Sequence, residues 1–507
     1  MVNILLIVLM VLVPLILLAC NLYIVVYFQH PEEKGMTWVW RILIILALEL
    51  LELSVCMVPA DVLNAGPPDG EIPMEIIWYV IYYTLIVFAA IILPFGLCWY
   101  NQDEDNTFCK KLILSIVFAL IFLLVYAVFS VIFYIIFGVA EIEVNYESKQ
   151  MADIGTFNLD NLLSQNVRLK DLSTTTISFR ISPVLFLIAG VSTIGYVLVL
   201  IFGGLGLGAL PVGLIFDFIN RPVPLKEPQI KEYTKLIGER AMAMLDESKE
   251  IKTVRGISSR KKYQEFREEV FILDKGLKTL NKRKAKLGFL WGYIAIGLGV
   301  IASIVSLLWI VQLVIWTILR IFPLIDWVMQ FLTGSLSFLG AIVYGVLAMY
   351  LLACVFKAVT YVGFRFALGI AFYPFEVGGT YMNAFCFNTI LLILTAFGVI
   401  QFTSETFPEF IAGTSLQTFM GDSITQMRYV KYVYKYAPFV MPVLCVLMII
   451  FMILSKCLCK HKKDKDPLDI CLETIAPEKV KGKEEKKEKK EKKEKKEKKV
   501  DTEVKNK

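Results

Sequence analysis

Nine blocks of roughly 20–30 residues with few charges dominate this chain, and each is the length a helix needs to cross a hydrocarbon core about 30 Å thick. They lie at about Ile4–Phe28, Trp38–Leu63, Glu75–Trp99, Cys109–Gly138, Pro183–Gly208, Leu287–Leu319, Phe338–Val355, Asn383–Phe402 and Tyr436–Cys457. Backbone groups in lipid find no water, so such blocks must close their hydrogen bonds internally as helices. The expected fold is all-α, a polytopic membrane bundle of nine spans. Composition agrees: 57% of the 507 residues are hydrophobic and 19% charged, against about 45–50% and about 25% in a soluble domain. No basic stretch precedes the first block and no small-x-small cleavage site ends it, so it reads as a retained span.

Lys and Arg set the expected direction. Loops after the odd-numbered blocks carry Lys34 and Arg41, Lys110 and Lys111, a large basic segment, Lys357 and Arg365, and then a Lys-rich tail. The alternate loops have none around Asp61–Glu75 and a few elsewhere, such as Lys149, Arg168, Lys170, Arg428 and Lys431. The positive-inside rule then puts the N-terminus outside the cytosol and the C-terminus in it. The net charge of +6 does not indicate a nucleic-acid partner. From Lys456 onward there are 20 Lys against 13 Asp/Glu, a balance of +7, and the rest of the chain is near −1.

The first five blocks occupy 1–210, with an external loop near 139–181. A cytosolic helical hairpin is expected over 211–286. Within Asp217–Lys286, Ile230, Ile237, Met244 and Ile251 recur every seven residues, Phe266, Val270, Leu273, Leu277 and Leu280 alternate at four and three, and Gly256–Ser259 separates the runs. Such a hairpin either packs on itself as a strut or docks a cytosolic trafficking partner. Blocks six to nine fill 287–457. Between them the short aromatic stretch 362–379, broken by Pro374, reads as interfacial or re-entrant. A Lys/Glu-rich tail, 458–507, is expected to be disordered or singly helical; its Lys456–Lys465 end is close enough to a bilayer to feel anionic lipid.

Two histidines, His30 and His461, both flank blocks, which leaves little for a His-built metal site or triad. No cofactor or metal is expected. None of the ten cysteines falls in a predicted external loop, so no structural disulfide is expected. Cys457 and Cys459 are juxtamembrane, the position of reversible lipidation.

Polar residues inside the blocks are the candidates for function. Glu49 and Glu52 lie near the middle of the second block, with Asp61 toward its outer end. Ionised carboxylates at that depth cost at least about 2–3 kcal/mol each, so they rarely face lipid. Glu49, Glu52, Cys56 and Pro59 share a helical face by their spacing. They read as a proton-coupled or cation-sensitive site, as a neutral Glu bonded to a neighbouring helix, or as a carboxylate facing a small water pocket. Asn383, Asn388 and Gln401 put amides on or in the eighth block, for interhelical bonding or for a ligand path. The Gly203–Gly208 run lacks the third glycine of a dinucleotide fingerprint and the Lys-Ser/Thr of a phosphate loop. Gly204 and Gly208 instead form a G-x-x-x-G suited to close helix packing.

Several stretches resemble the lipocalin-interacting membrane receptor (LIMR) family, within the larger limb-region membrane protein family. They are Tyr27–Glu32, Val58–Asn64, Gly203–Pro224 with its Ala-Leu-Pro-Val-Gly-Leu-Ile and Asn-Arg-Pro, Tyr381–Asn388 and Lys431–Tyr436. The resemblance implies nine spans, an external N-terminus and a long cytosolic loop after the fifth span. It also implies roles known for relatives: endocytic uptake of lipocalins and participation in lysosomal cobalamin export. It transfers no residue-level motif, and this chain lacks the external cysteines of some relatives.

Two readings of function follow, in a plasma or endosomal/lysosomal membrane. One is a non-enzymatic receptor or trafficking scaffold that meets a carrier protein or a small lipophilic ligand outside and recruits partners through the hairpin. The other is a transporter, or a component of one, proton-linked through Glu49 and Glu52. No catalytic pair at workable spacing supports an enzyme.

Overall fold

The computed structural model describes residues 4–30, 38–65, 72–102, 106–146, 173–219, 221, 225–251, 257–284, 286–336, 338–362, 375, 377–417, 424–459 and 467–475. The chain is an all-α polytopic membrane protein. Among the described residues, eight helices are long and apolar enough to cross a bilayer, or nine if a bent pair is one span. The spans are α1 (Ile4–Phe28), α2 (Trp38–Asn64), α3 (Met74–Tyr100), α4 (Phe108–Phe137) and α5 (Pro183–Ile219). After a hairpin of α6 (Glu227–Ile251) and α7 (Ile257–Lys284) come α8 (Lys286–Gln312), a short α9 (Leu324–Ser335), α10 (Leu339–Val362) and α11 (Met382–Thr406). The bent pair is α12 (Val430–Tyr436) and α13 (Val440–Cys459), which meet at 47° across Ala437–Phe439. A short α14 (Pro467–Ile475) lies in the tail.

Two differences from the sequence reading concern the connections. The loop after α4 begins and ends in an antiparallel ribbon, β1 (Val139–Tyr146) with β2 (Ser173–Arg180), in register from Val139↔Arg180 to Tyr146↔Ser173. Its β-branched residues suit a strand, and Glu141 pairs with Arg428 Nε at 2.6 Å and Lys431 Nζ at 3.4 Å. Those two cations hold the Glu141 carboxyl below the usual carboxylate range. The fifth helix also runs on past the expected Gly208 to Ile219, through Pro211. The expected interfacial segment 362–379 lies mostly outside the described residues, as does most of the Lys/Glu-rich tail 458–507.

The chain divides into two compact units, Met1–Leu210 with Ala302–Ile450, and Pro211–Ile301 with Phe451–Lys507. In the first, α11 is the most deeply placed span: Phe385, Phe397 and Phe402 are fully buried. Glycines set the closest approaches. A Cβ on Gly195 would collide with the Leu394 carbonyl, and one on Gly398 with the Gly195 carbonyl, so α5 and α11 touch backbone to backbone. Single π turns interrupt α3 at Phe88–Ile92 and follow α8 at Leu313–Ile318. In the second unit, Ile237 of α6 and Leu280 of α7 share a small core, and Arg240 bridges to Glu269 at 2.8 Å. That core is completed by Leu468, Cys471 and Leu472 of α14. The hairpin therefore packs on a tail helix as well as on itself.

Candidate intramembrane site

Helix α2 carries Glu49 and Glu52 along one face, and α1 supplies their partner. The Asn21 amide donates to Glu49 Oε2 at 3.1 Å and to Glu52 Oε2 at 2.9 Å. Asn21 is fully buried, Glu49 is 9% exposed and Glu52 is half-buried. An amide nitrogen has two hydrogens, and this one has committed both. Among the described residues, Asn21 Oδ1 and Glu49 Oε1 are buried without a hydrogen-bond partner. With both carboxyls ionised, the trio is short of donors and rich in acceptors.

Beside it lies an apolar groove of about 350 Å³ between α1, α2 and α10. Val13, Pro14 and Leu17 line it from α1, Leu53, Cys56, Pro59, Ala60 and Leu63 from α2, and Ala341, Ile342, Gly345, Val346 and Met349 from α10. Gly345 lets α10 close on Pro59, since a Cβ there would stand 3.0 Å from the proline ring. The groove and the trio occupy continuous helix faces. Val13, Leu17 and Asn21 recur every four residues on α1, while Leu53 and Cys56 follow Glu49 and Glu52 by four on α2. Residues four apart stack along one face, so the polar cluster lies one turn beyond the groove on the same two helix faces, although none of its three residues lines the groove.

The other sequence candidates fall elsewhere. Asp61 is 1% exposed and accepts from Trp78 Nε1 at 2.9 Å, Leu416 N at 2.9 Å and Ser415 N at 3.4 Å. Its carboxylate ties the segment after α11 to α2 and α3. Asn383, at the start of α11, donates to Asn101 Oδ1 at 3.4 Å and accepts from Ala384 N at 2.7 Å. Asn388 is buried within α11. Gln401, near the other end, donates to Glu405 Oε1 at 2.9 Å, and Glu405 Oε2 also accepts from Tyr196 of α5 at 3.0 Å. Gly204 and Gly208 face α13: a Cβ would stand 2.9 Å from the Met441 carbonyl at the first and 2.8 Å from the Cys445 carbonyl at the second. Cys457 and Cys459 close α13, and their side chains lie outside the described residues.

Four polar residues at three places are not among the candidates that the sequence pattern marks. Asn21 is one amide in an otherwise apolar helix, which is itself a signal, because an amide in lipid seeks a partner on another helix. Glu405 sits in the last turn of α11 and passes for a boundary residue. Gln312 and Asp326 form a knot: Gln312 Nε2 donates to Asp326 Oδ2 at 3.1 Å, Gln312 Oε1 accepts from Ile325 N at 3.0 Å, and Asp326 Oδ1 accepts from Phe410 N at 3.3 Å. Burial pushes the Asp326 carboxyl up to about 7, with the Glu409 charge adding to the rise.

Comparison with known proteins gives a consistent family. The model of the LMBR1-like membrane protein family matches residues 6–288. A LIMR family protein of Dictyostelium discoideum is 32% identical, covering 88% of this chain and 96% of its own length. One from Oryza sativa subsp. japonica is 26% identical over 86% of this chain and 93% of its own length. A Dictyostelium discoideum protein named as a probable lysosomal cobalamin transporter is 24% identical over 40% of this chain and 38% of its own length. No solved structure matches the chain.

Proposed function

We propose, for a chain that belongs to the LMBR1-like membrane protein family, a non-enzymatic receptor that takes a small lipophilic ligand laterally from the bilayer into the groove between α1, α2 and α10. The observation that carries this reading is the groove itself. Its volume of about 350 Å³ falls within the range of about 300–1,000 Å³ usual for small-molecule sites, and its walls are apolar as such sites require. With the N-terminus outside, the start of α1, the end of α2 and the start of α10 all lie in the outer half of the membrane. A ligand delivered by an external or lumenal carrier would meet the groove there, in a plasma or endosomal/lysosomal membrane. The cytosolic hairpin α6–α7 is the limb for a trafficking partner. A pull-down with the full-length protein that recovers no hairpin-dependent partner removes that limb.

The test of the ligand limb uses the purified protein in nanodiscs and a photoreactive apolar probe. Val346 lines the groove yet is 59% exposed, so Val346→Trp narrows the groove from its open side without overpacking the core. Competable labelling should fall at least about tenfold, equivalent to roughly 1.4 kcal/mol of binding. Unchanged labelling contradicts the reading.

Transport is the second reading, supported by carboxylates at mid-span and by the partial likeness to a protein named as a cobalamin transporter. Substrate flux that is undiminished in Glu49→Gln/Glu52→Gln protein rejects its proton-linked form.

A further inference from the structure

We propose that the groove and the Asn21–Glu49–Glu52 trio form one site, whose ligand is a lipophile ending in a hydrogen-bond donor, an alcohol or an amine. This rests on the reading of the groove as a lipophile site and adds the chemistry of the ligand's head. The apolar body lies along Leu17, Leu53 and Cys56, and the head reaches the trio one turn deeper on the same two helix faces.

The donor count sets the head group. Both hydrogens of the Asn21 amide are committed to the glutamates. Asn21 Oδ1 and Glu49 Oε1 remain as buried acceptors without a partner among the described residues, an arrangement that is costly to bury unsatisfied. A hydroxyl or ammonium supplies what they lack. A ligand carboxylate would bring further acceptors and a like charge, and a methyl ether would bring no hydrogen. Charge points the same way. The one basic residue of α1 and α2 is Arg41, two turns before Glu49, so an amine would offset carboxylates that have no cation beside them in sequence. The groove walls, by contrast, offer the body only apolar contact, and so select for size rather than chemistry.

The experiment uses full-length protein in nanodiscs and a matched probe series, one photoreactive apolar body ending in hydroxyl, primary amine, methyl ether or carboxylate. Hydroxyl and amine probes should compete about tenfold better than the methyl ether, the scale of one charge-assisted hydrogen bond, and the carboxylate should be the weakest. Glu49→Gln and Glu52→Gln should shrink that preference while the methyl ether still labels the groove. The wild-type series is decisive even if a variant fails to fold. Equal labelling of the groove by all four heads overturns the inference and leaves the groove reading standing. Labelling of the groove by none of them overturns both.

Discussion

Replacing Asp61 by Ala removes the acceptor for three N–H groups, from Trp78, Leu416 and Ser415. Each buried donor left unsatisfied costs about 1–3 kcal/mol. The 3.4 Å bond from Ser415 N is long for a hydrogen bond and counts little, so the two 2.9 Å bonds carry most of a cost of about 4 kcal/mol. For a chain this long, about 1–2 °C accompanies each kcal/mol. The protein in detergent should therefore melt about 4–8 °C lower, read as loss of the monodisperse peak after heating. A double-mutant cycle isolates the geometry. Trp78→Phe removes one donor and keeps the ring in the core, so Asp61→Ala should cost less in its presence, with a coupling of about 0.5–3 kcal/mol. Additive effects, or an Asp61→Ala change as mild as a surface substitution, would refute the claim that this carboxylate ties α2 and α3 to the segment after α11.

Three further outcomes are expected. Gly195→Ala and Gly398→Ala should abolish monodisperse expression, because each methyl meets a backbone carbonyl, whereas Gly190→Ala, with open space around it, should express like the parent. Asp326 ionises near 3.8 when unperturbed and near 7 in the fold, so its contribution to stability is full below about pH 4 and is lost as pH rises through 7; the melting temperature should be higher at about pH 5.5 than at about pH 8, and Asp326→Asn should flatten that slope. Cys471 is fully buried against the hairpin and burial raises its thiol pKa, so it should react slowly with a maleimide until Leu472→Asp releases α14; equally fast labelling in both proteins would place the helix elsewhere.

The spans were legible because lipid leaves the backbone one solution, and a block of apolar residues writes that solution directly into the sequence. The pair Glu49 and Glu52 was legible for the same reason: charge at bilayer depth must find a partner. Which partner was not, because Asn21 lies on another helix and only packing brings α1 to α2. Asp61 looked like an intramembrane candidate of the same kind, yet its donors include backbone N–H groups of Leu416 and Ser415, which no sequence pattern marks. The backbone contact of Gly195 with Gly398 has no signature in the sequence, since the two glycines sit on different spans and a G-x-x-x-G pattern reports on one helix only. The β ribbon was hidden by its long separation in sequence, Val139 pairing with Arg180, and α14 by the strongly charged tail around it.

A lipophile in the groove between α1, α2 and α10 is detectable with a diazirine-bearing lipophilic alcohol, photolysed with the protein in nanodiscs and mapped by peptide sequencing. Adducts should concentrate on Leu17, Leu53, Cys56 and Val346 and disappear under excess unlabelled alcohol. Adducts spread over lipid-exposed faces such as Leu124 and Ile135 of α4, and indifferent to the competitor, would contradict it.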